Sequence, residues 1–376
     1  MMKYIGTYDT PDNTIENRYY PLAATNKMNY ILSVLKKFDS IEIISISSTL
    51  GKKSVPSKLV KIEDKCSLKL FYSIGDKGKI FRILNYIIIR IQFFFFLLFH
   101  VSKNENVVVY HSLAYMNIVN IIHKIKKFNL ILEVEEIYSD VIGDSKKKKK
   151  EIKYIESANA YIFPTVLLNK YNINNKPYCV IHGIYHIEKK RSKKFNDDLI
   201  HIVYAGTFDP RKGGLIAANT AKYLSDKYHI HILGFGSKEE VTKMKQHINE
   251  LSKICNCKIS YDGMLDGDDY IQFIQSCDIG LSPQDPNAKF NATSFPSKIL
   301  SYMSNGLRVV SIRIPAIENS TIGSKMYFYD EQTPNEIANT IMNINFNDGY
   351  DAKKLLKELD MKFCIQLKDL LDRRDK

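Results

Sequence analysis

Two short stretches in the second half of the chain place cations where a helix begins. In Tyr204 to Gly214 (YAGTFDPRKGG) a strand-like run ends at Gly206, and Arg211 and Lys212 stand just before Gly213 and Gly214. In Asn291 to Ile312 (NATSFPSKILSYMSNGLRVVSI) Ser297 and Lys298 open a helix that Asn305-Gly306 stops. Free N–H groups at a helix mouth, the helix dipole and an ammonium together favour an anion, most naturally a phosphate or diphosphate. Gly206 allows the backbone to come close to such a group. Either stretch alone reads equally well as an ordinary capped helix or basic turn. Two such entrances, expected at one edge of one sheet, favour the ligand.

The second stretch also predicts its own geometry. Ser294 is the expected cap and Pro296 fits the first turn. Ile299, Leu300 and Met303 form the core stripe, while Ser297, Ser301 and Ser304 lie on another face.

These residues need strands and helices to hold them, and the chain alternates the two. Lys3–Tyr8, Ile41–Ser47, Val107–Ser112, Leu130–Glu136, Ala160–Thr165 and Tyr178–Gly183 read as strands of a first unit. Helices are expected at Pro21–Phe38, Leu113–Lys127 and Lys146–Ser157. Ile200–Gly206, His229–Phe235, Lys258–Met264, Asp278–Pro283, Arg308–Ile312 and Met326–Asp330 read as strands of a second unit. Such alternation implies an α/β fold: two Rossmann-like, doubly wound units, each a parallel sheet covered on both faces, with ligands at strand ends facing a shared cleft. The expected domains are residues 1–187, a charged linker at 188–198, residues 199–348, and a closing helix at 349–376 that returns to the first domain.

Charge is uneven. Of 54 Lys and Arg against 41 Asp and Glu in the chain, residues 1–150 hold 24 against 14. That surplus suits an anionic membrane surface or a phosphate-rich substrate. No nucleic-acid motif accompanies it, which argues against a nucleic-acid partner. Six scattered cysteines without a signal peptide point to reduced thiols in a cytoplasmic setting, and Cys255-Asn-Cys257 lacks a second pair at zinc spacing. The apolar run from Ile80 to Val101 is broken by Arg82, Asn85, Arg90, Gln92 and His100, so a buried helix is expected over one lying in a membrane interface.

In the first unit His111 ends a strand where an imidazole could meet a sugar or simply serve the fold. Glu133 and Glu135 share a strand face, and Glu135 is the better candidate for function. Gly6 reads as a turn or an acceptor approach. Asp266-Gly-Asp268 spells a metal-binding pair but fits a helix start, and Gly234-Phe-Gly236 is only part of a dinucleotide fingerprint.

The order GTFDPRKGG, then DIGLSP, then FPSKILSYMSNGLRVVS resembles the nucleotide-sugar half of bacterial glycosyltransferases of the two-Rossmann (GT-B) type, the retaining family 4 enzymes that build surface polysaccharides. The resemblance covers residues 200 to 345 and is weaker in the first half. It implies transfer of a sugar from a nucleoside diphosphate donor to a lipid-linked or oligosaccharide acceptor, without a metal or other cofactor, at the inner face of a membrane. It places Gly206, Thr207, Arg211, Lys212, Phe295, Ser297, Lys298 and Ser301 at the donor, and gives catalytic weight to Lys298, Lys212, His111 and Glu135. Ser301 and Thr293 stand where the family usually has glutamates, and Thr207 where many members have arginine. Those departures leave room for an epimerase of the same fold or a non-catalytic scaffold.

Overall fold

The structure, a computed structural model, describes every residue except 11, 12, 14, 143, 192, 193, 289, 290, 292, 293 and 373–376, with backbone alone at 141 and 145. It divides into two units, Met1–Ile181 with the chain from Lys362 onward, and His182–Met361.

The first unit holds strands β1 (Met2–Gly6), β2 (Ile41–Ser45), β3 (Lys58–Glu63), β4 (Cys66–Leu70), β5 (Asn106–Tyr110), β6 (Asn129–Glu133), β7 (Ala160–Phe163) and β8 (Tyr178–Val180). Their order is β3-β4-β2-β1-β5-β6-β7-β8, parallel except for the antiparallel β3–β4 pair. Helices α1 (Leu22–Leu35), α2 (Lys79–His100), α3 (Met116–Lys126), α4 (Tyr138–Ile142) and α5 (Ser145–Glu156) connect them. The central strands are β-branched runs because both their faces are covered: Tyr4, Ile43, Val108 and Ile131 have no exposed surface. The lysine run before Glu151 is a capped helix start, with the Asp144 carboxylate accepting from the N–H groups of Lys146 and Lys147.

Helix α2 corrects the expectation of burial. Asn85, Ile89, Phe93 and Leu97 form one buried stripe at four-residue spacing, and Phe93 meets Phe71 and Tyr115 edge-on. The opposite side stays open, with Ile80 and Phe99 each 72% exposed and Ile83, Ile87, Ile91 and Phe95 beside them. A single sheet layer can cover only one face of a helix, and among the described residues of this unit nothing covers the other. By length and composition α2 is apolar enough to cross a membrane. Its buried stripe instead fixes it along the surface of the core.

The second unit holds β9 (Ile200–Thr207), β10 (Tyr228–Phe235), β11 (Lys258–Gly263), β12 (Ile279–Ser282), β13 (Arg308–Ile312) and β14 (Met326–Tyr329), all parallel in the order β11-β10-β9-β12-β13-β14. Its helices are α6 (Gly214–Asn219), α7 (Lys238–Ile254), α8 (Gly267–Ser276), α9 (Ser297–Asn305), α10 (Pro315–Glu318), α11 (Pro334–Met342) and α12 (Ala352–Asp372). From Lys362 onward α12 counts with the first unit, where Phe363 stacks on Tyr30 of α1. The described residues of 188–198 form neither helix nor strand. The winding of the sheet reverses between β9 and β12, and at such a switch point the loops leaving two strands diverge and open a crevice beyond their carboxyl ends.

Candidate functional site

Both cation-bearing loops leave the strands that flank this switch point. The loop after β9 turns at Gly213, which has a left-handed φ of 82° and no room for a side chain, since a Cβ there would stand 2.0 Å from the Pro283 carbonyl. Asp285 N–H donates to the Arg211 carbonyl at 2.9 Å, so the loop after β12 is stitched to the loop after β9. Local turn chemistry therefore fixes one wall of the crevice against the other.

Helix α9 starts at Ser297 and ends at Gly306, whose φ of 90° makes the left-handed stop. Its N-cap position is held by Pro296 rather than Ser294, and a proline side chain makes no cap hydrogen bond. Proline fixes the extended entry that a serine cap would otherwise have to hold. Ile299, Leu300 and Met303 are buried as their spacing predicts.

Lys298 lies in the first turn of this helix. Its Nζ is closed off from solvent and has no hydrogen-bond partner among the described residues. It hangs over the Tyr204 ring at 4.2 Å from the centroid and 3.2 Å from where a Cβ on Gly206 would stand. Burial, and then the charge of Lys212, push its ammonium down to about 7. A cation held in that state lacks its counter-ion, and an arriving anion would gain a full charge-assisted bond. Any side chain at Gly206 would crowd this Nζ.

The other expected donor residues are placed as follows. Lys212 is half-buried and near enough for its charge to be felt at Lys298. Arg211 is exposed and committed to Asp209, with Nη2 to Oδ2 at 2.6 Å, and the guanidinium holds that carboxyl down to about 2. Ser297 is exposed at the helix mouth. The Ser301 hydroxyl bonds to the Tyr270 hydroxyl of α8 at 3.0 Å. Thr207 contributes its carbonyl, which accepts from Tyr204 Oη at 2.8 Å. Phe295 is buried with its ring 4.6 Å from that of His182. Thr293 lies outside the described residues. Asp268 begins α8 and pairs with Arg191, as a helix-start acid does.

The first unit sets its candidates apart from solvent. His111 has no exposed surface, stacks between Tyr138 and Tyr154 at 5.4 and 6.1 Å, and burial drives its imidazole down to about 3. A ring so enclosed faces no solute, which corrects the expectation of a sugar contact. Glu135 is half-buried and paired with Lys27 of α1 at 2.5 Å. Glu133 is buried, accepts from the Tyr4 hydroxyl, and is raised by burial and by the charge of Glu135. Gly6 is a packing glycine, since a Cβ would stand 2.8 Å from Met28 Sδ.

Sequence reasoning missed Tyr204 and Tyr270, and it ranked Glu133 below Glu135. A signal for the first existed: Tyr204 and Gly206 are two apart on β9 and so share a face. For Tyr270 there was none, because its partner Ser301 is 31 residues away.

Residues 200–345 match the family model of the glycosyl transferases group 1. Comparison with curated proteins gives no match. Among solved structures the chain is similar in fold to Escherichia coli trehalose-6-phosphate synthase bound with UDP-2-fluoro glucose, with a TM-score of 0.69, 10% identity and 99% of each chain covered. It is likewise similar to Anabaena Alr3699/HepE in complex with UDP and glucose, with a TM-score of 0.61, 12% identity and 98% of each chain covered. The Burkholderia multivorans trehalose 6-phosphate synthase gives a TM-score of 0.62 at 7% identity, over 99% of this chain and 94% of that one.

Proposed function

We propose that this chain, of the GT-B glycosyltransferase type by the family its second unit matches and by its fold, moves one sugar from a nucleoside diphosphate donor to a lipid-linked or oligosaccharide acceptor in surface polysaccharide synthesis. The observation that carries the reading is the buried ammonium of Lys298 at the mouth of α9, which has no hydrogen-bond partner among the described residues. A diphosphate seated there would meet Lys298, the first-turn N–H groups and Lys212, with Gly206 letting the backbone come close. As the glycosidic bond breaks, negative charge grows on the departing diphosphate, and cations already fixed in a dry site stabilise that charge without reorganising. No metal enters this scheme and the anomeric configuration is retained. UDP sugars are the first donors to test, because the E. coli and Anabaena proteins hold UDP compounds.

The test is calorimetry with UDP, followed by donor hydrolysis, on the wild type, Lys298→Ala and Lys212→Ala. Both variants are expected to lose binding and turnover. Full activity in both would end the diphosphate reading.

A membrane-facing acceptor is favoured by α2. Exposed Lys77, Lys79 and Arg82 stand at the start of α2 and exposed Lys103 just past its end, which suits peripheral attachment of its open apolar side to an anionic cytoplasmic leaflet. A scaffold role is the second reading, favoured by the engagement with Tyr270 of Ser301, which stands where the family usually has a glutamate. Absence of binding to every member of a nucleotide-sugar panel would select it.

A further inference from the structure

At the opposite end of β9 and β10 from the donor loop, three imidazoles share one sheet face. His201 and His229 are register partners and His231 follows two residues on, so their side chains point the same way. All three are buried, and one ligand nitrogen from each lies within 4.8 Å of the others.

Counting protons shows what this cluster lacks. His201 Nε2 meets Asp197 Oδ1 at 2.7 Å and His231 Nδ1 meets Asp262 Oδ2 at 3.1 Å. A carboxylate only accepts, so both rings spend their N–H outward. The inner nitrogens, His201 Nδ1 and His231 Nε2, then face each other at 2.9 Å with lone pairs on both. Two acceptors at that separation need a positive centre. His229 has the same polarity: its Nε2 meets Ser260 Oγ at 3.0 Å, and Ser260 spends its proton on Asp262 at 2.9 Å. The lone pair of His229 is therefore left on Nδ1.

Two aromatic rings pack on the cluster. Phe195 stacks on His201 and His231 at 4.1 and 5.2 Å, and Phe273 meets His231 edge-on at 5.1 Å.

We propose that His201, His229 and His231 bind one divalent transition-metal ion of the zinc type, with Asp197 and Asp262 orienting the outer nitrogens of two of the ligands. Three neutral imidazoles leave a fourth position for water, and the two carboxylates balance the charge. Metal–nitrogen bonds of about 2.0–2.1 Å require the rings to draw together from their widest separation. Lys258 on β11 opposes the ion and sets a ceiling on affinity. The ion ties the amino ends of β9 and β10 to the segment carrying Phe195 and Asp197. Its role is structural, and the proposal stands apart from the donor reading.

The test uses the full chain treated with chelator and then given Co²⁺ or Zn²⁺. One bound equivalent by mass spectrometry, visible ligand-field bands of a nitrogen-ligated Co²⁺ site and a raised Tm are expected. His229→Gln and His201→Asn should lose the bands while keeping the far-ultraviolet circular dichroism of the wild type, and UDP binding should survive chelation. Absence of bands and of any Tm shift in folded wild-type protein would overturn the proposal in favour of one proton shared between His201 and His231. Bands that persist in both variants would overturn the assignment of ligands.

Discussion

The ammonium of Lys298 rests 4.2 Å from the centre of the Tyr204 ring, in front of the one β9 position, Gly206, that has no side chain to obstruct it. The ring's negative face offsets part of the cost of burying the charge and aims it at the mouth of α9. The site thus holds an amine in place before any ligand arrives, and its consequences are measurable.

Replacing Lys298 by methionine keeps the length of the side chain and removes the charge. Loss of a buried amine that no described residue pairs is expected to raise the stability of the ligand-free protein by about 1–3 kcal/mol. The same substitution should abolish the Tm rise that UDP gives the wild type. Thermal denaturation with and without nucleotide reads both effects, and a methionine variant that is less stable yet still responds to UDP would contradict the assignment.

If Lys298 holds the donor as proposed, nucleotide binding is proton-linked. The folded group titrates near 7 against 10.5 for an ordinary lysine. Between those values the unfolded chain binds more protons, so stability of the ligand-free protein rises with pH across that window. An anion restores the charge, and binding at pH 8 to 9 should take up a proton and tighten as pH falls toward 7. Calorimetry in buffers of different ionisation enthalpy measures the uptake, which should vanish in Lys298→Met.

Arg211 and Lys212 are neighbours with different duties. Arg211→Ala removes a guanidinium already held by Asp209 and should change UDP affinity by less than about threefold. Lys212→Ala should cost about tenfold or more, the equivalent of one charge-assisted bond. Equal losses in the two variants would show that Arg211 leaves Asp209 for the ligand.

In the first unit Glu133 is raised above an ordinary glutamate by burial and by the charge of Glu135. A raised carboxyl costs stability as pH climbs from the unfolded value through the folded one, and nothing below both. Glu133→Gln should therefore raise Tm at pH 8 and leave it nearly unchanged at pH 4. Glutamine can still accept from Tyr4, so a drop at pH 8 would mean that the ionised form is the one the fold needs.

Attachment to a membrane is expected to depend on the open side of α2. Phe95→Asp with Phe99→Asp should abolish co-sedimentation with anionic vesicles at low salt while leaving UDP binding intact. High salt should weaken the wild type, because exposed lysines supply part of the attraction.

Much of this was legible in the residues themselves. Runs such as Ile41–Ser45 and Val107–Tyr110, and the Gly306 stop of α9, follow from local sterics and periodicity, and so did the two α/β units. The β3–β4 hairpin was not legible, since an edge strand that alternates half-buried and exposed residues looks like an irregular lysine-rich stretch.

The sequence by itself determined which elements form and which cations stand at helix mouths, because those are matters of neighbours along the chain. Only the tertiary structure decided that Lys298 lies over Tyr204, that His111 is sealed between two tyrosines, that α2 keeps an open face, and that three histidines from two strands meet. Each of these depends on which strand lies beside which and on how many layers cover it. Residues distant in sequence carry no local mark of either.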